Sequence, residues 1–241
     1  PAIITAVTIT DVDAIHPGYG FLSENKRFAE IIEEHKIKFI GPTSNLIEMM
    51  GNKIKAKKIM SKNKVPTIPS LDNVSDINQI NKFIDKNGLP VIIKAVCGGG
   101  GKGMRLVTHI NELEKSINSA KIEAKKSFND DSIYIEKFFI EPKHIEIQIL
   151  ADSYGNVISL GERDCSIQRK HQKLIEECPS SCLQEDERKQ ISNLCVKSIK
   201  SINYEGVGTL EFLYDNNKFY FMEMNTRVQV EHPITEMVTQ T

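Results

Sequence analysis

Apolar and polar residues alternate through residues 208–214 (GTLEFLY) and again at the start of 219–233 (FYFMEMNTRVQVEHP), the period of strands that bury one face. Asp215-Asn216-Asn217-Lys218 between them is turn chemistry, so the two form a hairpin. A three-residue loop, 216–218, sets Glu211 across from Glu223 and places Leu210, Phe212, Tyr214, Tyr220, Met222 and Met224 on the buried face. A loop of two or four residues separates the two carboxylates onto opposite faces.

Ahead of the hairpin, residues 1–50 read as two α/β passes, resembling the tail of a doubly wound sheet. They run from an apolar opening segment through a strand at 13–15 and the turn His16-Pro17-Gly18-Tyr19-Gly20 to a helix from Ser23 that carries Phe28, Ile31 and Ile32. A strand at 38–40 is ended by Gly41-Pro42. A basic helical stretch from Asn45 (Lys53, Lys55, Lys57, Lys58, Lys62, Lys64) leads to Val65-Pro66, most of its lysines solvated. A helix near Ser75 precedes a strand at 91–96, a glycine run at 98–103 and a strand at 104–107. The next helix takes Asn111 as its cap, with Glu114 three residues on, and buries Leu113, Ile117, Ala120 and Ala124. Strands follow at 132–139, 144–151 and 157–160, and residues 162–173 (ERDCSIQRKHQK) read as a solvated charged loop. A helix over 185–202 buries Ile191, Leu194, Cys195, Ile199 and Ile202, and another starts at Thr235.

Composition narrows the class. The 241 residues are 40% hydrophobic, enough for the core of one large domain or two. With 31 basic and 32 acidic side chains, a net charge of -1 argues against bulk electrostatic binding to nucleic acid or a membrane surface. No apolar run approaches bilayer length. Five cysteines with no C-x-x-C pair fit a reduced, cytosolic or matrix-like compartment, and Cys178 and Cys182 lack a second ligand pair for zinc. The chain starts at Pro1 and stops at Thr241 within a helical pattern, so further elements are expected on both sides.

Two stretches carry candidate chemistry. Like charges directly across a ladder repel, so a register pairing Glu211 with Glu223 requires a cation between them. With the amide oxygen of Asn225 they offer hard oxygen ligands for a Mg²⁺ that also holds phosphates; an ordinary solvated acidic face is the alternative. The other stretch is Cys97-Gly98-Gly99-Gly100-Gly101-Lys102-Gly103, after a strand bearing Lys94. Successive glycines cost chain entropy and leave backbone N–H groups unobstructed to fold over phosphates, which a lysine can neutralise. Gly98, Gly100 and Gly103 match the dinucleotide fingerprint, but a strand follows where that motif needs a helix. A P-loop fails as well, because Gly and not Ser or Thr follows Lys102. What remains is a glycine hairpin closing over a nucleotide, or a plain linker. The bases near His171 and Lys173 suit anionic substrates.

Taken in order, AIHPGYGFLSEN, GPT, MGNK, IIKAVCGGGGKGMR, IEKF, KHIEIQ, ERDCSIQRKHQK, GTLEF and EMNTRVQVEHPITEM resemble the biotin carboxylase component of biotin-dependent carboxylases, an ATP-grasp enzyme, across nearly the whole chain. The resemblance implies an α/β (α+β) fold, with residues 1–48 as the C-terminal part of a Rossmann-like biotin carboxylase N-terminal domain. Residues 49–241 would be a truncated ATP-grasp domain with a lid subdomain over about 68–138. Lys53 and Lys94 would hold ATP phosphates under Gly100 and Gly101; Glu136, Lys137 and Phe139 would read adenine, with His144 on the ribose side and Gln168 and His171 nearby. Glu211, Glu223 and Asn225 match the ligands of Mg²⁺ (or Mn²⁺), the cation the register requires. Lys173, Arg227, Gln229 and the backbone of Val230 would bind bicarbonate, and Glu231 would be its general base.

The activity this implies is a ligase reaction: carboxyphosphate forms from bicarbonate and ATP, breaks down to CO₂, and N1 of biotin is carboxylated. The implied partners are a biotin carboxyl carrier domain, a second copy in a homodimer and a carboxyltransferase subunit, in the cytoplasm or a mitochondrial matrix. The family's enolate-stabilising arginine lies beyond Thr241, so these residues alone are expected to be inactive. AVCGGGGKGMR and EAKKSFNDD are more similar to the methylcrotonyl type of carboxylase than to the acetyl type. The alternatives are another bicarbonate-activating ATP-grasp ligase, of the carbamoyl-phosphate type, and a non-catalytic nucleotide-binding module.

Overall fold

The computed structural model describes residues 2–72, 74, 76–96, 104–169 and 172–241. Gly100, Gly101 and His171, all expected at the nucleotide, lie outside the described residues. The chain divides into two compact units, Pro1–Thr67 with Pro142–Thr241, and Ile68–Glu141.

The larger unit holds a five-stranded antiparallel sheet in the order Lys218–Asn225, Gly206–Asp215, Lys143–Ala151, Val157–Arg169, Gln172–Glu177. Its central strand, KHIEIQILA, turns Ile145, Ile147 and Ile149 to one face and His144, Glu146 and Gln148 to the other. On the apolar face these isoleucines join Leu210, Phe212, Phe221 and Met224 in one core with Leu46, Met50, Ala56 and Met60 of the helices Ser44–Gly51 and Lys53–Lys62. Ile191, Cys195 and Ile199 of the helix Glu185–Lys200 complete it. The polar face is buried as well: Glu146, Gln148, Arg163, Thr209 and Glu211 are each 5% exposed or less. Polar groups survive such burial only when paired, so this face is where ligand chemistry is to be sought.

The hairpin reaches the expected pairing by a different route. Asp215 pairs with Lys218, so the loop is only Asn216 and Asn217, both left-handed at φ 48° and 58°, a conformation Asn tolerates. Continued regularly, that turn would set Met222 opposite Glu211. The regular register holds as far as Phe212 with Phe221, and a β-bulge then pairs Glu211 with Glu223, leaving Met222 as the extra residue. Phe219 and Phe221, rather than Tyr220 and Met222, therefore pack into the core.

Other expectations are corrected locally. The opening segment is a helix, Ala2–Thr10, followed by a short parallel pair of Ala14–Ile15 with Lys38–Phe39. The helix expected from Ser23 starts at Lys26, because the Asn25 side chain accepts the Phe28 N–H and caps it. Asn52 accepts from Ile54 N and Lys55 N, and so splits the basic stretch into two helices. Asn111 is no cap but lies in a 3₁₀ turn, Ile110–Glu112, leading into Leu113–Phe128. Of the stretch 162–173, residues 162–169 lie in the strand Val157–Arg169 and 172–173 in Gln172–Glu177 rather than in a solvated loop, and Glu162, Arg163, Asp164 and Cys165 are buried.

The smaller unit has a four-stranded antiparallel sheet in the order Ser70–Leu71, Ile133–Lys137, Val91–Ala95, Arg105–Val107. Val91, Ile93, Ile133 and Ile135 share a core with Ile80 and Ile84 of the helix Ile77–Asn87 and with Leu113, Ile117 and Ala120 of Leu113–Phe128. Alternation leaves Lys94 and Glu136 on the other face. Among the described residues no helix is long and apolar enough to cross a membrane.

Gly206 begins its strand at φ 104°, and a Cβ there would lie 3.0 Å from Gly41 Cα. Gly206→Ala is expected to cost about 1–3 kcal/mol of stability, read as a lower denaturant midpoint at unchanged slope. An unaltered midpoint would refute this backbone geometry.

Candidate functional site

Register alone lines up four charged residues in one row across the polar face: Glu223 pairs with Glu211, Glu211 with Glu146, and Glu146 with Arg163. Three neighbouring carboxylates repel, so the row depends on cations supplied by the segments around it.

Lys173, on the edge strand, places Nζ 2.5 Å from Glu146 Oε2, 2.9 Å from Glu211 Oε1 and 2.9 Å from Glu231 Oε1. Lys53 Nζ lies 2.9 Å from Glu223 Oε2. His144 bridges: its Nδ1 is 2.7 Å from Gln168 Nε2 and its Nε2 is 2.8 Å from Glu211 Oε2. An amide nitrogen only donates, so Nδ1 accepts and Nε2–H donates to the carboxylate.

These contacts set the charges. Burial would raise the Glu211 carboxyl, but the hydrogen bond from His144 and the charge of Lys173 outweigh it and hold the group well below the usual carboxylate range. Glu231, also pushed up by burial, is brought below its ordinary value by its hydrogen bond from Lys173. Burial acts to lower the Lys173 ammonium, and the Glu211 and Glu146 carboxylates more than reverse this, so it stays protonated.

The segment after the hairpin closes the site. Asn225 Nδ2 donates to Glu211 Oε1 at 2.6 Å, and Gln229 Nε2 donates to the same oxygen at 3.1 Å. Arg227 Nη2 donates to Asn225 Oδ1 at 3.3 Å, while its Nε donates to Glu24 Oε2 at 2.9 Å. Glu231 stands at the head of the helix His232–Thr239 without capping it, its carboxylate turned to Lys173. Val230 beside it is exposed. Thus Lys173, His144, Gln168, Glu211, Asn225, Gln229 and Glu231 form one connected cluster, which Arg227 joins through Asn225, while Lys53 meets Glu223, the ladder neighbour of Glu211.

Glu211, Glu223 and the Asn225 amide are hard oxygen donors on one acid-rich face, chemistry that fits Mg²⁺. His144, Glu146 and Glu211 also bring ligand atoms within 4.8 Å of one another. In the smaller unit, Lys94 Nζ is 2.6 Å from the buried Glu136 Oε2. Lys137 donates to the carbonyls of Gly88 and Leu89 at 3.2 and 3.1 Å, and Phe139 is half-buried.

Sequence reasoning gave no role to Glu146, Gln148, Arg163 or Glu24. The first two were signalled by the alternation in HIEIQI, which sets His144, Glu146 and Gln148 on one face. Glu24 meets Thr226 and Arg227 about two hundred positions away, a pairing no local pattern announces.

Residues 1–47 match the family described as biotin carboxylase, N-terminal domain, and residues 52–241 match carbamoyl-phosphate synthase L chain, ATP binding domain. The chain is 54% identical over 241 residues to a biotin carboxylase of Haemophilus influenzae, covering 99% of this chain and 54% of that one. It is 55% identical over 241 residues to a biotin carboxylase of a Nostoc species, again covering 99% and 54%. A crystal structure of a biotin carboxylase–βγ-ATP complex from Campylobacter jejuni matches with a TM-score of 0.89 at 52% identity, over 99% of this chain and 54% of that one. The biotin carboxylase domain dimer of Hydrogenobacter thermophilus 2-oxoglutarate carboxylase, in complex with MgADP, ADP and bicarbonate, matches at 0.87 and 46% identity, over 98% and 53%. The chain spans about half the length of these curated relatives. It belongs to the biotin carboxylase family, with an ATP-grasp domain of the carbamoyl-phosphate synthase L chain kind preceded by a biotin carboxylase N-terminal segment.

Proposed function

We propose that the protein containing this chain uses ATP to activate bicarbonate as carboxyphosphate and carboxylates N1 of biotin on a separate carrier domain. The observation that carries this reading is the Lys173 ammonium, which binds Glu231 and Glu211 at 2.9 Å each and so joins the expected base to one of the expected metal ligands.

Bicarbonate is a poor nucleophile until it loses its proton, and Glu231, kept ionised by Lys173, accepts it. A bicarbonate oxygen then attacks the γ-phosphorus, the bond to ADP breaks, and carboxyphosphate forms. Lys173, Arg227, Gln229 and the Val230 backbone orient the anion, and the two cations offset the negative charge that gathers during transfer. Mg²⁺ held by Glu211, Glu223 and Asn225 would supply further neutralisation of the phosphates. Lys53 and Lys94 are assigned to the phosphates with Gly100 and Gly101. Glu136, Lys137 and Phe139 are assigned to adenine and His144 to the ribose side, with Gln168 and His171 near the nucleotide. Carboxyphosphate then breaks into CO₂ and phosphate, and N1 of biotin bonds to the CO₂ carbon as its proton passes to the released phosphate.

Residues 1–48 are assigned to the N-terminal domain and 49–241 to the ATP-grasp domain, with 68–138 as its lid. The proposed partners are the carrier domain, a second copy of the protein and a carboxyltransferase subunit, in the cytoplasm or a mitochondrial matrix. The test is ATP hydrolysis by the full-length protein. Dependence on bicarbonate and stimulation by free biotin support the proposal; stimulation by ammonia without a response to biotin indicates the carbamoyl-phosphate type instead.

Glu231→Gln is expected to abolish bicarbonate-dependent ATP hydrolysis while calorimetry still detects nucleotide binding; unchanged turnover would remove Glu231 from the role of base. Glu223→Gln removes one negative ligand and is expected to raise the Mg²⁺ concentration for half-maximal hydrolysis by about tenfold. An unchanged Mg²⁺ titration would take Glu223 out of the metal site.

A further inference from the structure

Arg163 is the largest fully buried side chain in the protein's described residues and sits outside the function proposed above. Each of its donor nitrogens is used. Nε donates to Glu146 Oε1 at 2.5 Å, Nη1 to Gln148 Oε1 at 2.8 Å and Thr235 Oγ1 at 2.7 Å, and Nη2 to Gln229 Oε1 at 2.8 Å and Thr209 Oγ1 at 3.4 Å. Five N–H groups meet five acceptors, so none is left over for a substrate.

What the fork does to its partners matters more. A guanidinium donates and never accepts, so the carbonyl oxygen of Gln229 must face it. The Gln229 amide nitrogen is then turned the other way, where it donates to Glu211 Oε1 at 3.1 Å. An amide is nearly symmetric in shape, so its neighbours decide which end points where. Here the buried cation makes Gln229 enter the site as a donor, the polarity an anion needs.

Glu146 is governed in the same way. Arg163 takes Oε1, leaving Oε2 for Lys173 Nζ at 2.5 Å. Lys173 and Gln229 consequently converge on one oxygen, Glu211 Oε1. Thr235 ties the guanidinium to the helix headed by Glu231.

We propose that Arg163 is a positioning residue for the anionic substrate: without touching it, Arg163 orients Gln229 directly and Lys173 through Glu146, so that both donate into one place. This rests on the bicarbonate reading above. A mere counter-charge for Glu146 would affect stability and leave substrate response alone.

The two roles separate in the full-length protein. Arg163→Lys keeps the charge and loses the fork. It is expected to raise KM for bicarbonate by about tenfold or more, the loss of one charge-assisted hydrogen bond, while KM for ATP shifts by less than about twofold. A lowered Tm with an unchanged KM for bicarbonate overturns the proposal. Gln229→Glu covers the case in which Arg163→Lys does not fold, because it keeps an acceptor for Arg163 and replaces the donor that faces the site. The same bicarbonate-selective rise is expected there, and an unchanged KM overturns the proposal. Absence of bicarbonate-dependent turnover in the unaltered protein removes the functional reading itself, and this inference with it.

Discussion

The site depends on one ammonium group shared among three carboxylates. Glu223, Glu211 and Glu146 stand side by side on neighbouring strands, and Glu231 approaches from the next segment. Removing a charge from water costs several kcal/mol even after relaxation, so a row of buried acids persists only where cations and hydrogen bonds answer each one. Lys173 answers three of them, Arg163 shares Glu146, His144 shares Glu211, and Lys53 meets Glu223. Deleting Lys173 would take a cation from Glu146, Glu211 and Glu231 at once, which is why these groups behave as one unit. The same contacts hold Glu211 and Glu231 ionised against the burial that would protonate them.

Such a face adds little to stability, and the sheet compensates on its other side. Ile145, Ile147 and Ile149 are fully buried beneath the same strand that presents His144, Glu146 and Gln148. Each buried aliphatic side chain contributes roughly 1.5–3 kcal/mol of transfer free energy, so that strand offsets part of the cost of the ions above it. Fold and chemistry are thus two phases of one alternating pattern. The polar phase can be held rigid because the apolar phase is packed.

What was legible in the sequence follows from this. Alternation disclosed the hairpin and the pairing of Glu211 with Glu223, and the glycine run and the strings around it disclosed the family. Residues 162–169 misled because a strand whose neighbours are charged looks, letter by letter, like a solvated loop; partners from other stretches make them buriable, Arg188 for Glu162, Glu146 for Arg163 and Ser180 for Asp164. Arg163 was invisible for the same reason, since its partners Gln148, Thr209, Gln229 and Thr235 come from four separate stretches. Asn111 looked like a cap by spacing, but a 3₁₀ turn carries the chain into that helix instead.

The loop length was misread for a reason that bears on the site. Along a regular strand all odd-numbered residues share a face. In Lys218–Asn225, Phe219 and Phe221 turn to the core, where Phe212 meets their rings at centroid distances of 5.8 Å, yet Asn225 turns to the polar side and bonds Glu211. The extra residue, Met222, reverses the phase between them. Without the reversal, a tight Asn-Asn turn and an aromatic anchor near it would commit Glu223 and Asn225 to the core side. With it, the turn end is packed by aromatic rings while the far end of the same strand brings Glu223 and Asn225 to the acidic row. The bulge is therefore the local feature that lets one short strand serve the core at one end and the site at the other.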